Sequence, residues 1–209
     1  VTENMDKFEL GIAVQKVYDF IWDEFCDWYV ETAKYRIYHK EEEKAAADCV
    51  LWVLKTVLKQ ALKLLHPFMP FITEEIYSVL VPEEESLMMS EWPQFHAEWD
   101  FPAEENVMEH VKEITRGIRN MRAEMNVPNN RKTKVYVVCE DTEICDGIST
   151  LENSIKPLMM AEKILVQQTK ENIADNAVSV VVPDAVVYLP LEDLVDFEQE
   201  MERLQKEEE

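Results

Sequence analysis

The sequence predicts a mainly α protein: an antiparallel helix bundle, then a small α+β unit, then the start of a coiled-coil helix. Three observations point there. Apolar residues recur every three or four positions over long stretches of the first 125 residues, the period of one helix face. Only three glycines occur in 209 residues, few for a fold rich in tight hairpins or phosphate-cradling loops. Beyond residue 133 the texture changes to short β-branched runs.

Taken in order, Val14, Val17, Tyr18, Ile21, Phe25, Trp28 and Tyr29 share one helical face and predict a first helix over about residues 6 to 37. A second follows from Ala47 through Val50, Leu51, Leu54, Val57, Leu58, Ala61 and Leu62 to Leu65, stopped because Pro67 disfavours helical geometry at His66. Pro70 can open a third, whose Ile72, Ile76, Val79 and Leu80 share an inward face until Pro82. Short links between the three predict antiparallel packing. A fourth helix carries Val107, Val111, Ile114, Ile118, Met121 and Met125, with Asp100 as its cap and Val127-Pro128 as its end. Strands are expected at 134–139, 163–167, 177–182 and 185–189, with a helix near 142–159. Leu194, Phe197, Met201 and Leu204 open a heptad pattern that stops with the sequence. The expected divisions are residues 1–100, 101–192 and 193–209.

A net charge of −22 weighs against indiscriminate polyanion binding. The charge is uneven, however. Residues 110 to 134 hold Lys112, Arg116, Arg119, Arg122, Arg131, Lys132 and Lys134 against Glu113 and Glu124, a local +5, which leaves −27 for the rest. Screening over roughly 8 to 10 Å makes the local field decide where a phosphate backbone docks. Cys26, Cys49, Cys139 and Cys145 have no metal-ligand spacing and read as buried free thiols in a reducing, cytoplasmic setting. No apolar run reaches 18 residues, and no signal-peptide pattern opens the chain.

Catalytic chemistry finds little support. Asp19, Asp23, Asp27 and Glu31 line one helix edge and echo an acidic magnesium motif, but no second facing cluster completes it, so they read as a hydrogen-bonding edge and no metal site is assigned. His39, His66, His96 and His110 lack ligand spacing, and no nucleophile sits in a G-x-S-x-G elbow. Trp22, Trp28, Tyr29, Phe68, Phe71 and Trp92 read as packing aromatics, and Lys55, Lys59 and Lys63 as a solubilising row. Phe8, near the start of its helix beside Lys7, reads first as a helix-end core contact, with stacking of an exposed ring on an unpaired base as the alternative. On the fourth helix Lys112, Arg116 and Arg119 project away from Val111 and read as partner-facing, extended by Arg131 and Lys132, with Arg122 half-buried.

Three stretches carry a resemblance. Trp22 with Phe25-Cys-Asp-Trp-Tyr29, Glu31 and Lys34, then Leu65-His-Pro-Phe-Met-Pro-Phe-Ile-Thr-Glu-Glu75, then Ile118-Arg-Asn-Met-Arg-Ala-Glu-Met-Asn-Val-Pro128, resemble the carboxy-terminal, anticodon-binding part of class I valyl-tRNA synthetases. The first motif points to the valine enzymes, and the second is shared with related synthetases. The run Tyr188-Leu-Pro-Leu-Glu-Asp-Leu-Val-Asp196 resembles the lead-in to that family's terminal coiled-coil arm. The resemblance implies a tRNA-binding region that positions tRNA(Val) for a catalytic domain using ATP and magnesium. That domain's two ATP-site signatures have no counterpart here, so no catalytic residue and no cofactor is assigned to these residues. Lys34 and Arg36 join Lys7, Phe8 and the basic segment as tRNA-binding candidates. A monomer engaging neither DNA nor a membrane is expected. The alternative is a helical protein-interaction module with an acidic surface.

Overall fold

The computed structural model describes residues 1–194; the expected heptads beyond Leu194 lie outside the described residues. The chain divides into two compact units, Val1–Trp99 and a second from Asp100 onward. It is mostly helical, with one four-stranded mixed sheet among the described residues.

The first unit opens with α1 (Thr2–Asp6), then α2 (Leu10–Asp19), which runs without a break into a π-helical segment, Phe20–Val30, and on into α3 (Glu31–Tyr38). The expected first helix is therefore present but wound differently. Bonding from i to i+5 adds a residue per turn and shifts every later side chain on the wheel. Ala13, Val17, Phe25, Trp28 and Ala33 become the buried positions, while Tyr18 and Trp22, assigned to packing, stack on each other in solvent with ring centroids 6.4 Å apart. The long helix α4 (Lys44–Leu65) ends one residue before His66, as Pro67 requires. It buries Ala47, Val50, Ala61 and Leu62 but leaves Leu51 exposed, against expectation.

Helix α5 (Pro70–Leu80) has Pro70 in its first turn, as expected, but turns its other side inward. Thr73 and Tyr77 are fully buried, whereas Ile72, Ile76, Val79 and Phe71 are exposed. The polar side chains can go inside because each finds a partner. Thr73 Oγ1 donates to the Met69 carbonyl at 2.8 Å and lies 2.8 Å from His66 Nδ1, and the Tyr77 hydroxyl donates to Glu84. Lys59 pairs with the same carboxylate. Lys59 and Tyr77 together hold the Glu84 carboxyl below its ordinary range, Lys59 contributing most. Burial, then the bond to Glu84, pushes the Tyr77 hydroxyl up.

The second unit starts with α6 (Pro102–Glu124), whose N-cap is Phe101 rather than Asp100. Strand β1 (Thr133–Cys139) pairs in parallel with β2 (Ala161–Gln167) and antiparallel with β4 (Ala185–Leu189), which pairs antiparallel with β3 (Val178–Val182), giving the order β2-β1-β4-β3. The parallel pair needs a crossover, supplied by α7 (Thr142–Ile155). Asp141 caps α7, accepting from the amides of Glu143 and Ile144 at 2.8 and 3.3 Å. A short α8 (Leu191–Leu194) follows β4. Alternation along β1 and β4 sends Val135, Val137, Val187 and Leu189 into one core with Val111, Ile114 and Ile118 of α6 and Ile144, Ile148 and Ile155 of α7. Close packing leaves no room at Gly147, where a Cβ would lie 2.6 and 2.7 Å from the Val107 methyls.

Candidate nucleic-acid interface

With only three glycines, none of them at positive φ, this chain closes helix ends with other residues. At the end of α1 the Phe8 amide donates to the Met5 carbonyl at 3.0 Å and the Glu9 amide to the Asn4 carbonyl at 2.8 Å. This pair of bonds defines a left-handed helix stop whose usual occupant is glycine. Here the occupant is Phe8, at φ 58°. A bulky L-residue in that conformation bears roughly 1–2 kcal/mol of strain. The ring recovers nothing by packing, since Phe8 is 87% exposed.

The turn is braced by side chains that the sequence did not single out. Asn4 Nδ2 donates to Glu9 Oε2 at 2.7 Å, and Lys16 Nζ on α2 donates to Asn4 Oδ1 at 3.0 Å. Phe8 is thus held at the tip of a tied turn, next to exposed Lys7. Of the other candidates in this unit, Lys34 is half-buried and bonds Glu31 at 2.6 Å, a contact that raises its pKa. Arg36 is half-buried and close enough to Tyr29 to act on its hydroxyl, which burial pushes upward.

In the second unit the expected basic ridge is broken up. Lys112 is only 5% exposed, which corrects its assignment as partner-facing. The reason is packing on two sides: α6 meets both α7 and β3, so its buried arc takes in positions 111, 112, 114, 115, 118, 121 and 122 rather than one narrow stripe. Lys112 Nζ pairs with Glu109 at 2.7 Å, an acid just outside the window that gave the local +5. Arg116 is exposed and pairs with Glu113 at 2.6 Å. Arg119, also exposed, donates from Nε to the Leu158 carbonyl at 3.2 Å. Arg131 is half-buried and donates to the Glu192 carbonyl at 3.2 Å, whereas Lys132 is exposed. Arg122 is not half-buried but 5% exposed.

The cysteines are free among the described residues, though Cys49 is exposed rather than buried. Burial pushes the Cys145 thiol up to about 11, away from an activated nucleophile. Among the described residues no group of three or more His, Cys, Asp or Glu is placed to hold a metal ion, and no helix is long and apolar enough to cross a membrane.

Comparison with known proteins adds an independent line. Residues 1–137 match the model of the family described as the anticodon-binding domain of tRNA ligase. The chain is 47% identical over 207 residues to the valine–tRNA ligase of Clostridium perfringens (strain 13 / Type A), covering 99% of this chain and 23% of that protein. It is 46% identical over 207 residues to the enzyme of the same name from Clostridium tetani (strain Massachusetts / E88), covering 98% and 23%, and 38% identical to that of Enterococcus faecalis (strain ATCC 700802 / V583), covering 99% and 23%. The chain therefore spans less than a quarter of the length of the curated relatives it matches. Since the family match takes in more than half of the 209 residues, the chain belongs to the anticodon-binding domains of tRNA ligases.

Proposed function

We propose that this chain is the tRNA-reading region of a valine–tRNA ligase. Its first helices, arranged as an antiparallel bundle, hold the anticodon arm of tRNA(Val). A catalytic domain outside these residues performs the ATP-dependent aminoacylation, and ATP and magnesium act there. This region works in the cytoplasm as part of a monomer, binds neither DNA nor membrane, and contributes positioning rather than bond-making.

The observation that carries the reading is Phe8: an aromatic ring held in solvent by a strained, side-chain-braced turn. Unpaired anticodon bases offer flat faces, and stacking on an aromatic is worth about 1–3 kcal/mol per base. Lys7 supplies charge beside it. Gel-shift titration of this chain against tRNA(Val) and an anticodon-altered tRNA(Val) tests the reading. Tighter binding to the unaltered tRNA is expected, with affinity falling steeply as salt rises. Equal binding to both overturns anticodon reading.

The alternative, a protein-interaction module, is favoured by one observation. Ile72, Ile76 and Val79 form an outward apolar stripe on α5 beside Glu74 and Glu75, a surface unsuited to a polyanion. Capture of a protein that survives ribonuclease treatment and is lost in Ile76→Asp would favour that reading over RNA binding.

A further inference from the structure

Arg122 is a buried cation whose hydrogen bonds run to carbonyls. It is 5% exposed, and its Nη2 donates to the Pro128 carbonyl at 3.0 Å and to the Arg131 carbonyl at 2.7 Å. Its Nη1 is buried with no hydrogen-bond partner. Burial alone pulls its pKa down, with no carboxylate acting on it. A guanidinium remains charged in such a site, and burying one without an anion is costly. The chain has 43 acids, yet among the described residues none pairs with this guanidinium.

What Arg122 holds is a loop. Asn126 takes the left-handed position at φ 53°, its amide donating to the Ala123 carbonyl at 3.1 Å, and the Val127 amide donates to the Arg122 carbonyl at 2.9 Å. Backbone and side chain of one residue thus fix residues 126–131 at three points. From Met125 to Cys139 there is no Asp or Glu, while Arg131, Lys132 and Lys134 lie in that span. Lys132 is exposed, as are Asn129 and Asn130. An acid-free loop wrapped around a buried cation, presenting Lys132 and the Asn129 and Asn130 amides outward, is chemically suited to a phosphate backbone.

We infer that residues 126–132 form a phosphate-docking loop for RNA, in addition to the Phe8 turn, with Lys132 as its contact and Arg122 as the positioning residue that sets the loop. The inference rests on the tRNA-binding reading above. RNA is favoured over an acidic peptide because the chain belongs to a tRNA-ligase family.

The test measures binding of a labelled tRNA(Val) transcript to the full 209-residue chain across a potassium chloride series, for wild type, Lys132→Ala, Arg122→Met, the double variant and Phe8→Ala. Lys132→Ala, on an exposed side chain, should fold normally and lower the salt slope by about one. Arg122→Met, assayed below its melting temperature, should weaken binding by about tenfold, roughly 1.4 kcal/mol, and lower the slope by at least as much. The double variant should be no worse than Arg122→Met, because both act through one loop. Wild-type affinity and slope in folded Lys132→Ala overturn the inference even if Arg122→Met does not fold. Fully additive losses overturn the positioning role. If Phe8→Ala loses binding while the loop variants keep it, this inference fails and the anticodon reading stands. If wild type does not bind, both fall.

Discussion

Among the described residues from Asp100 onward, eighteen buried side chains form one apolar cluster and three large apolar side chains are exposed; in Val1–Trp99 the cluster has four members and eighteen large apolar side chains are exposed. The second unit completes its own core from two helices and a sheet. The first keeps much of its apolar surface, and its one strained aromatic, outside. Exposed apolar side chains in such numbers are the usual mark of a contact surface, and here they gather in the less self-contained unit.

The comparison predicts unequal responses to the same substitution. Ile148→Ala, at a fully buried site in the second unit, should cost roughly 2–5 kcal/mol. Ile76→Ala, on the outward face of α5, should change stability by about 0.5 kcal/mol or less. All five tryptophans lie in Val1–Trp99, so fluorescence during urea unfolding follows that unit and hydrogen exchange follows the other. Similar costs at the two positions would remove the distinction.

Glycine offers a second contrast. Gly147→Ala pushes a Cβ to 2.6 Å from a Val107 methyl and should destabilise by about 1–3 kcal/mol. Gly11→Ala, in α2, meets nothing within 4 Å. It should stabilise by roughly 0.5–1 kcal/mol through helix propensity. Thermal melts of the two variants should move in opposite directions. A gain in Gly147→Ala would show that the second unit has more slack than its geometry indicates.

The smallest effect concerns pH. Glu84's carboxyl is depressed in the fold, so its contribution is present above the ordinary carboxylate range and is lost as pH falls through the lowered value. The melting difference between wild type and Glu84→Gln should therefore be greatest near neutrality and vanish in acid. Tyr77, raised in the fold, acts at the other end: its contribution is present below its ordinary value and declines as alkali ionises it. A difference constant from neutral to strongly acidic pH would remove Glu84 from the account.

The same contrast decides what was legible in the sequence. Strands β1 to β4 and helices α4 to α6 lie close to where periodicity and proline placed them, because a half-buried strand or a proline-bounded helix declares itself locally. Facing was harder to read. The wheel for α5 put Ile72, Ile76 and Val79 inside, but Thr73 and Tyr77 took the interior through partners distant in sequence. Across the π-helical segment the α period does not apply, which is how Trp22 departs from the expected packing face; Tyr18, in the α-helical turn before it, stacks on Trp22 and is exposed with it. Lys112 was assigned from one stripe, while burial came from two sides. Phe8 and Lys7 were legible as an aromatic and a cation near a helix start. The strain at Phe8 was not, because no glycine signalled the left-handed stop. Arg122's grip on its loop likewise depends on carbonyls that only the folded chain brings near.

Stacking of the exposed Phe8 ring on an anticodon base is put to a four-way binding measurement: wild type and Phe8→Gly, each against tRNA(Val) and an anticodon-altered tRNA(Val). Glycine takes the left-handed position without strain, so the turn should survive while the ring is lost. Wild type should bind tRNA(Val) about tenfold or more tightly than Phe8→Gly does, the scale of one stacked base, and because every base has a flat face the loss should be similar for both tRNAs. Equal affinity of wild type and Phe8→Gly for tRNA(Val) would overturn that stacking.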